Sequence, residues 1–145
     1  MPLFRPSRKR TDEEEKSRFS THTLRKIKRN VLNSLLTSGA STYPNEFGGI
    51  LRSEDPGVVT DMLLIPGTTA GHRHANFQLY MLPVDLTVVG TAHSHPSGAV
   101  HPSEEDLTLF RHWGRIHIIL GFPFKGWCWK AYNNSGDEVK LEVVD

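Results

Sequence analysis

The sequence of 145 residues predicts one α/β domain, in which helices flank a mixed and largely antiparallel sheet. Apolar residues recur at helical spacing in two stretches, and several short apolar runs bounded by turn residues lie between and after them. The order is therefore helix, several strands, helix, strands, which is typical of an α/β sandwich. A chain of this length is also long enough to bury a hydrophobic core.

The first helix follows a charged N-terminal arm. Residues 1–20 combine charge and proline with few apolar side chains, so we expect them to be poorly ordered. Beyond the arm, the spacing predicts a helix that Thr21 or Thr23 caps and that ends at Ser38–Gly39. Its apolar stripe consists of Leu24, Ile27, Val31, Leu32, Leu35 and Leu36. The folded domain is expected to span residues 21–145.

Several strands are predicted between the two helices. Glu46–Leu51 leads into a strand, and Val58–Ile65 follows a turn as its hairpin partner. Residues 66–76 are predicted to be a loop, and Phe77–Leu82 alternates between apolar and polar side chains. The apolar run Leu86–Val89 then predicts a strand that leads to a pair of histidines.

The C-terminal part of the chain predicts three further strands. Ile116–Leu120 is a continuous apolar run, which is typical of a buried strand. Trp127–Tyr132 and Val139–Val144 flank turn residues 133–137 and predict a closing hairpin. Cys128 is the only cysteine and is interpreted as a small core residue of this hairpin. A single cysteine cannot form an internal disulfide, which fits a reducing compartment.

The net charge of +1 conceals an asymmetry. Residues 1–30 carry ten Lys/Arg and four Asp/Glu, whereas the remainder carries seven and twelve, so a basic arm precedes an acidic body. An acidic partner or nucleic acid could bind such an arm, but a solvated tail is the simpler interpretation, and we do not expect nucleic acid as a partner. No apolar run approaches the roughly 18 residues that a membrane span needs, and the N-terminus has no signal-like apolar core. We therefore expect a cytoplasmic protein without a membrane partner.

The most informative pattern is a group of potential metal ligands between the predicted fourth strand and the second helix. His93 and His95 end the strand two positions apart, so their side chains point to the same side. The acidic run after Ser103 predicts a helix start, and Ser103 and Asp106 then share a helix face. Residues 96–102 are enough to fold that face over the histidines. Two imidazole nitrogens and one carboxylate make the ligand set of a catalytic zinc ion, with the fourth position left for water.

The stretch from His93 to Asp106, H-S-H followed after seven residues by S-x-x-D, resembles the signature of the JAMM (MPN+) zinc metallopeptidases. That family also has a glutamate at the start of an upstream strand, and Glu46 matches it in residue and context. The resemblance runs from about Leu32 to the C-terminus. It implies a deaminase-like α-β-α sandwich, in agreement with the order of predicted elements.

The resemblance also implies the roles of the residues. One Zn²⁺ per chain would be held by His93, His95 and Asp106, with a water molecule as fourth ligand. Glu46 would act as general acid and base, and the Ser103 hydroxyl would stabilise the oxyanion. The small prokaryotic members that this chain resembles cut after the C-terminal Gly-Gly of ubiquitin-like modifier proteins. The expected reaction is hydrolysis of a peptide or isopeptide bond without a covalent intermediate.

Each of these residues also has a purely structural interpretation. The histidine pair could be hydrogen-bonded core residues, and Glu46 could be an ordinary acid at a strand end. Ser103 and Asp106 resemble a capping box, although Glu or Gln is the usual residue at the second position. Only the complete set with its spacing favours a metal site. Ser94, between the two histidines, points to the opposite face and is predicted to pack or to form a hydrogen bond.

A second H-x-H pattern tests how specific the first one is. Asp85 follows His74 by eleven residues, as Asp106 follows His95, but Leu82 stands where the serine should be. Asp85 also lacks a helix start around it. We therefore interpret His72 and His74 as loop residues, near the substrate rather than on a metal.

Two further functions remain open from the sequence. One is a processing peptidase for a sulfur-carrier protein, which the residues do not distinguish from an isopeptidase. The other is a non-catalytic scaffold or binding module that uses the basic arm. A thiol hydrolase would need a base beside Cys128, and the sequence shows none. The oligomeric state does not follow from the sequence.

Overall fold

The structure, a computed structural model, describes residues 23–65 and 86–145. Its helices are α1 (Arg29–Thr42) and α2 (Glu104–His112). Its strands are β1 (Lys26–Lys28), β2 (Gly48–Arg52), β3 (Val58–Val59), β4 (Asp61–Leu64), β5 (Val88–His95), β6 (Ile116–Gly121), β7 (Trp129–Tyr132), β8 (Glu138–Val139) and β9 (Glu142–Val144).

The strands form one large and one small sheet. The six-stranded sheet has the order β4-β2-β5-β6-β7-β8, and all neighbours in it are antiparallel except β5 and β6. The three-stranded sheet has the order β3-β1-β9 and is parallel. The predicted mixed, largely antiparallel sheet is therefore confirmed. Because β5 and β6 are parallel neighbours, their carboxyl ends meet at one edge of the sheet.

The two helices cover opposite faces of the large sheet, as the alternation along β6 shows. Ile118 and Leu120 belong to the main core, together with the apolar residues of α1. Ile119, which points the other way, packs with Phe110 of α2 and Tyr132 of β7 in a second, smaller cluster. The predicted α/β sandwich is confirmed, and the second cluster lies directly beneath the helix that carries the predicted acidic ligand.

The predicted start of the first helix is wrong. Thr23 precedes a short strand instead of a helix, and the residue that precedes α1 is Lys28, whose side chain makes no capping hydrogen bond. Ile27 is completely buried as the inward residue of β1. β1 pairs with β3 and β9, which lie far away in the sequence, so local periodicity could not reveal it. Thr21 lies outside the described residues.

The predicted end of this helix is also wrong. The helix continues past Ser38–Gly39 to Thr42, and the backbone N–H of Tyr43 donates to the Gly39 carbonyl. Gly39 is buried, and a Cβ atom there would lie 2.8 Å from the ring of Phe124. This glycine therefore makes room for an aromatic ring and does not end the helix.

Two predicted strands are each divided between the two sheets. Val58–Ile65 becomes β3 in the small sheet and β4 in the large one, and only β4 forms the predicted hairpin with β2. Val139–Val144 likewise becomes β8, which pairs with β7, and β9, which pairs with β1. The two predicted strands are divided because one part of each, β3 or β9, pairs with β1.

The predicted strand Trp127–Tyr132 begins only at Trp129, since Trp127 is 79% exposed and precedes β7. The prediction that Cys128 is a core residue is wrong, because Cys128 is half-buried and belongs to neither core cluster.

A close backbone contact fixes how β5 and β6 approach each other. Gly90 of β5 pairs with Ile116 of β6, and a Cβ atom at Gly90 would lie 1.5 Å from the Ile116 carbonyl oxygen. Gly114, with φ of 83°, lies against the same part of β5. Only glycine fits at position 90, because any other residue would force the two strands apart.

Several predictions fall on residues that the structure does not describe. These are the arm of residues 1–20, the loop 66–76 with His72 and His74, and the alternating run Phe77–Leu82. Within the described ranges, neither helix has the length and apolar character required to cross a membrane.

Candidate metal centre

Two of the three candidate ligands lie at the carboxyl end of β5. The Nε2 atoms of His93 and His95 are 3.1 Å apart, so the side chains point to one side of the strand, as predicted. His93 is buried, whereas His95 is partly exposed. The pair therefore lies where the sheet surface opens toward solvent.

The third candidate ligand comes from the first turn of α2. Asp106 is 6% exposed, and its Oδ1 lies 3.1 Å from Nε2 of His93. Its Oδ2 lies 3.1 Å from Nε2 of His95. In the described part of the chain, these three side chains form a cluster whose ligand atoms all lie within 4.8 Å of one another. The sequence spacing that suggested a shared centre does bring these groups together.

The distances in the cluster fit a tetrahedral metal ion. Nitrogen and oxygen ligands at about 2.0–2.1 Å from a tetrahedral zinc ion lie about 3.3 Å from one another. The Nε2 atoms of His93 and His95 are 3.1 Å apart, close to that separation, and each lies 3.1 Å from a different oxygen of the Asp106 carboxylate. Two imidazoles and one carboxylate are also a donor set that zinc accepts. The cluster can therefore hold a divalent metal when the carboxylate turns one oxygen toward both histidines.

A capping box holds the carboxylate of Asp106 in place. The Ser103 hydroxyl oxygen accepts from the Asp106 backbone N–H at 3.1 Å, and the Ser103 N–H donates to Oδ2 at 2.9 Å. The structural interpretation of S-x-x-D is thus correct, and it coexists with the metal-ligand geometry. Although aspartate is shorter than the usual glutamate, both hydrogen bonds form. The cap orients the carboxylate toward the histidines.

The orientation of His95 is fixed by a backbone carbonyl. The Nδ1 of His95 lies 2.6 Å from the Ala99 oxygen, and since a carbonyl only accepts, Nδ1 carries the proton. In the neutral ring the other nitrogen, Nε2, is then left with a lone pair toward the cluster, whereas in the protonated ring Nε2 donates to Asp106. Such a hydrogen bond on the remote nitrogen is the usual way of orienting a metal-ligating histidine. The Nδ1 of His93 is buried and has no hydrogen-bond partner among the described residues.

The electrostatics of the cluster keep the carboxylate charged. Burial alone would raise the pKa of Asp106, but hydrogen bonds from His93 and His95 outweigh it and hold this pKa far below its usual value. Burial would likewise lower the pKa of His95, but its contacts with Asp106 and Ala99 and the charge of Glu46 raise this pKa overall. Because a metal binds the neutral imidazole, binding at His95 would compete with protonation.

Glu46 lies beside the cluster without belonging to it. The Phe47 N–H donates to the Ser94 hydroxyl at 2.8 Å, and the Ser94 N–H donates to the Phe47 carbonyl at 3.0 Å. Together with the pairing of Gly48 and His93, this register places Glu46 near His95 at the end of the sheet. Glu46 is half-buried, and its charge contributes to the raised pKa of His95. The predicted packing and hydrogen-bonding role of Ser94 is confirmed, since Ser94 is fully buried.

A third histidine lies near the centre, and no sequence pattern predicted it. His117 of β6 is fully buried, its Nδ1 lies 2.7 Å from the Thr91 hydroxyl, and its ring stacks on Phe110 at 4.1 Å. Burial, followed by the nearby His93, lowers the pKa of His117 to about 3. This histidine is a neutral core residue. The parallel pairing of β5 and β6, which brings it there, is not visible in local sequence.

Comparisons with known proteins agree with this fold and identify its family. Residues 28–132 match the family model for prokaryotic homologues of the JAB domain. A probable metalloprotease of Haloferax volcanii is 40% identical over 128 residues, which cover 82% of this chain and 79% of that protein.

Solved structures give the same result. A JAB1/MPN domain protein from Archaeoglobus fulgidus is 38% identical, with a TM-score of 0.68 over 83% of this chain and 99% of that one. A structure described as JAMM, a metalloprotease-like zinc site in the proteasome and signalosome, is 37% identical, with a TM-score of 0.67 over 85% of this chain and 100% of that one. A protein from Desulfitobacterium hafniense, 19% identical with a TM-score of 0.55, shares the fold.

A JAB1/MPN sandwich with a His-His-Asp cluster at the carboxyl end of a central strand defines a metallopeptidase of the JAMM class. The family match covers most of the chain, and the relative named above is well over 30% identical. This chain belongs to the prokaryotic JAB-domain family.

Proposed function

We propose that this metallopeptidase uses one zinc ion to hydrolyse the bond that follows the C-terminal Gly-Gly of a ubiquitin-like modifier protein. The observation that carries the proposal is the convergence of His93, His95 and Asp106 within 4.8 Å, with Glu46 beside them. The description of a relative as a probable metalloprotease supports the reaction class. The description of a neighbour as a zinc site supports the choice of metal.

The protein's own groups supply the ligands. The Nδ1 of His95 donates a hydrogen bond to the Ala99 carbonyl, and its Nε2 faces the other two ligands. Asp106 is ionised and oriented by its cap. A bound zinc ion would lower the pKa of a water molecule to about 7 and polarise the scissile carbonyl.

Glu46 is the proposed general acid and base. The attacking water must lose a proton, and the leaving amine must gain one. Of the two carboxylates near the centre, Asp106 contacts two histidines and the backbone of Ser103, so it is assigned to the metal. Glu46 lies outside the ligand cluster and is therefore assigned to proton transfer. Glu46 is half-buried and lies close enough to His95 for its charge to raise the pKa of that histidine.

Ser103 is the proposed oxyanion donor. Its hydroxyl oxygen accepts a hydrogen bond from the Asp106 backbone, so its own proton can be donated to a substrate oxygen. The side chain is exposed at the start of α2, next to the ligand cluster. One such donor typically contributes a factor of about 10²–10³ to the rate.

The proposed substrate is an extended Gly-Gly tail. β4 is an edge strand of the described sheet, and its last residue, Leu64, pairs with Gly49 near the end that carries Glu46. An extended tail can add to such an edge through backbone hydrogen bonds, and glycine needs no side-chain pocket. The assignment of the modifier as partner and the cytoplasmic location remain predictions.

The test uses a ubiquitin-like modifier fused through its Gly-Gly to a second protein. Cleavage after the second glycine is expected with zinc, loss of cleavage with a chelator, and recovery when zinc is restored. The same assay with the two glycines replaced by alanines measures the requirement for the tail. Cleavage that persists after complete metal removal would refute the mechanism.

A panel of substrates tests the other assignments. Cleavage of a sulfur-carrier precursor in preference to the modifier fusion would favour the processing peptidase. Failure to cleave any Gly-Gly protein, despite bound zinc, would favour the non-catalytic scaffold. In that case deletion of residues 1–20 should remove binding to the scaffold's partner.

A further inference from the structure

The loop that joins β5 to α2, residues 96–103, holds the groups that orient the metal centre. Its start is tied to β5, because the Gly98 N–H donates to the His95 carbonyl at 3.0 Å. Its end is the capping box of Ser103 and Asp106. Between them, the Ala99 carbonyl accepts from the Nδ1 of His95 at 2.6 Å. Since Ala99 is exposed and its methyl side chain cannot form a hydrogen bond, the position of its carbonyl depends on its neighbours.

The first neighbour, Gly98, is held by the end of β6. A Cβ atom at Gly121 would lie 2.9 Å from the Gly98 carbonyl oxygen, so the two backbones are in close contact. Gly98 has a φ of 84°, a conformation that favours glycine. This contact fixes the loop on one side of Ala99.

The second neighbour, Val100, is held by Tyr132. The Tyr132 hydroxyl donates to the Val100 carbonyl at 2.5 Å. The ring is 4% exposed and lies 6.2 Å from Phe110 in the small cluster beneath α2. Burial, followed by the charge of Glu138, raises the pKa of Tyr132, so the hydroxyl keeps the proton that it donates. A rigid side chain of the sheet thus fixes the loop on the other side of Ala99.

We infer that Tyr132 is a positioning residue for the metal ligand His95. Its hydroxyl holds Val100, and thereby the adjacent Ala99 carbonyl, at the place where it selects the His95 tautomer with a free Nε2. Tyr132 touches neither the ligands' coordinating atoms nor the proposed substrate path. The inference rests on the metal centre of the proposed function and is independent of which protein is cleaved.

The main variant is Tyr132→Phe, which keeps the ring in the cluster and removes only the hydroxyl. Loss of an outer partner of a metal-bound histidine typically weakens metal binding about 10- to 100-fold. Because Tyr132 acts one step further out, we expect the lower end, about 10-fold weaker zinc binding. Competition with a chromophoric chelator gives the affinity.

The matched control is Leu109→Ala. Leu109 packs against the same cluster, but its side chain has no hydrogen-bond donor for the loop's carbonyls, so we expect this variant to lower the unfolding temperature and to keep the hydrogen bond from Tyr132 to Val100. We expect its zinc affinity to equal that of the unaltered protein. Equal weakening in both variants would mean that Tyr132 acts only through packing, and would overturn the inference.

A second readout needs no metal. In the metal-free protein, above the pH at which the His95 signals stop changing, ¹⁵N chemical shifts of His95 report the tautomer. The unaltered protein should show the proton on Nδ1, and Tyr132→Phe should shift part of the population to Nε2. An unchanged tautomer and unchanged zinc affinity would refute the role of Tyr132.

These measurements separate the inference from the proposed function. If the unaltered protein does not bind zinc, the metal centre fails, while the tautomer still tests the link from Tyr132 to His95. If Tyr132→Phe does not fold, Gly98→Ala disturbs the same loop from its other side, where the added Cβ would lie 3.1 Å from the Phe122 oxygen at a positive φ. Unweakened zinc binding in a folded Gly98→Ala variant would then overturn the inference.

Discussion

His95 and His117 lie on neighbouring parallel strands and on the same face of the sheet, yet their environments have opposite effects. The pKa of His95 is raised, chiefly by Asp106 once the opposing effect of burial is overcome. The pKa of His117 is lowered to about 3 by burial, and Phe110 stacks on its ring. The difference shows that position along a strand decides the role of a histidine. The carboxyl end of β5 receives carboxylates from other segments, whereas α2 covers His117 near the amino end of β6.

The same comparison separates two interpretations of a histidine in a strand, as a buried core residue or as part of a metal centre. Each of them fits a different histidine of this sheet. His117 is the buried, hydrogen-bonded core histidine that was considered for the H-x-H pair. The pair itself meets Asp106 because the start of α2 lies over the end of β5. Four variants test this contrast, from the largest expected effect to the smallest.

The contrast depends first on the close approach of β5 and β6. Gly90→Ala would place a Cβ atom 1.5 Å from the Ile116 carbonyl oxygen, so the strands must separate. We expect destabilisation of at least about 3 kcal/mol, the upper range for single substitutions, measured by denaturant unfolding. Gly126→Ala is the control, because a Cβ atom there meets nothing within 4 Å. A Gly90→Ala variant as stable as the control would show that the strands can move apart freely.

Removing the carboxylate of Asp106 should make the environment of His95 more like that of His117. Asp106→Ala deletes the proposed third ligand and the hydrogen bond that its carboxylate accepts from the Ser103 N–H, so we expect zinc binding to be lost and stability to fall by about 1 kcal/mol through that hydrogen bond alone. Without Asp106 the pKa of His95 should also fall. Isothermal titration and histidine NMR measure these effects. Glu104→Ala, an exposed acid in the same helix turn, should change neither, and retention of tight zinc binding by Asp106→Ala would contradict the ligand assignment.

The second carboxylate near His95 should affect the reaction without affecting the ligands. Glu46→Gln keeps the size of the side chain and removes its basicity, so kcat should fall by about 10²–10⁴ while zinc affinity changes little. A steady-state assay combined with zinc titration separates the two effects. A near-normal kcat would remove Glu46 from its role, whereas loss of zinc binding would make it a ligand.

The buried histidine, His117, should make the stability of the protein depend on pH. The folded pKa of His117 is about 3, below its ordinary value of 6.5, so the unfolded chain binds a proton first as the pH falls. The stability that His117 contributes is therefore complete above pH 6.5 and is lost toward pH 3, with a slope of up to about 1.4 kcal/mol per pH unit. In metal-free protein, His117→Gln should remove this slope. The exposed His112→Gln should keep it, and equal slopes in both variants would refute the assignment.

The local parts of the structure could be predicted from the sequence. The spacing of His93, His95, Ser103 and Asp106 lies within one strand, one loop and one helix turn, and each of those obeys local rules. The order of elements was enough for the α/β sandwich. The ligand cluster could be predicted because its members are within fourteen residues of one another.

Features that depend on distant pairing could not be predicted. Ile27 fits a helical stripe as well as a strand, and only β3 and β9 decide that it belongs to β1. Gly39 looks like a helix end until Phe124 is placed against it. The Ala99 carbonyl carries no side-chain signal at all, and Tyr132 lies far from it along the chain. These contacts come from tertiary packing, which overrides local preference.

The capping box of α2 joins secondary structure to chemistry in a single side chain. The Oδ2 atom of Asp106 accepts from the Ser103 backbone and also faces His95. If Asp106 is a metal ligand as proposed, fraying of the first helical turn would withdraw that ligand, and metal binding would in turn stabilise the turn. Slow amide exchange at Asp106, whose N–H is bonded to Ser103, would thus register the occupancy of the centre from the backbone.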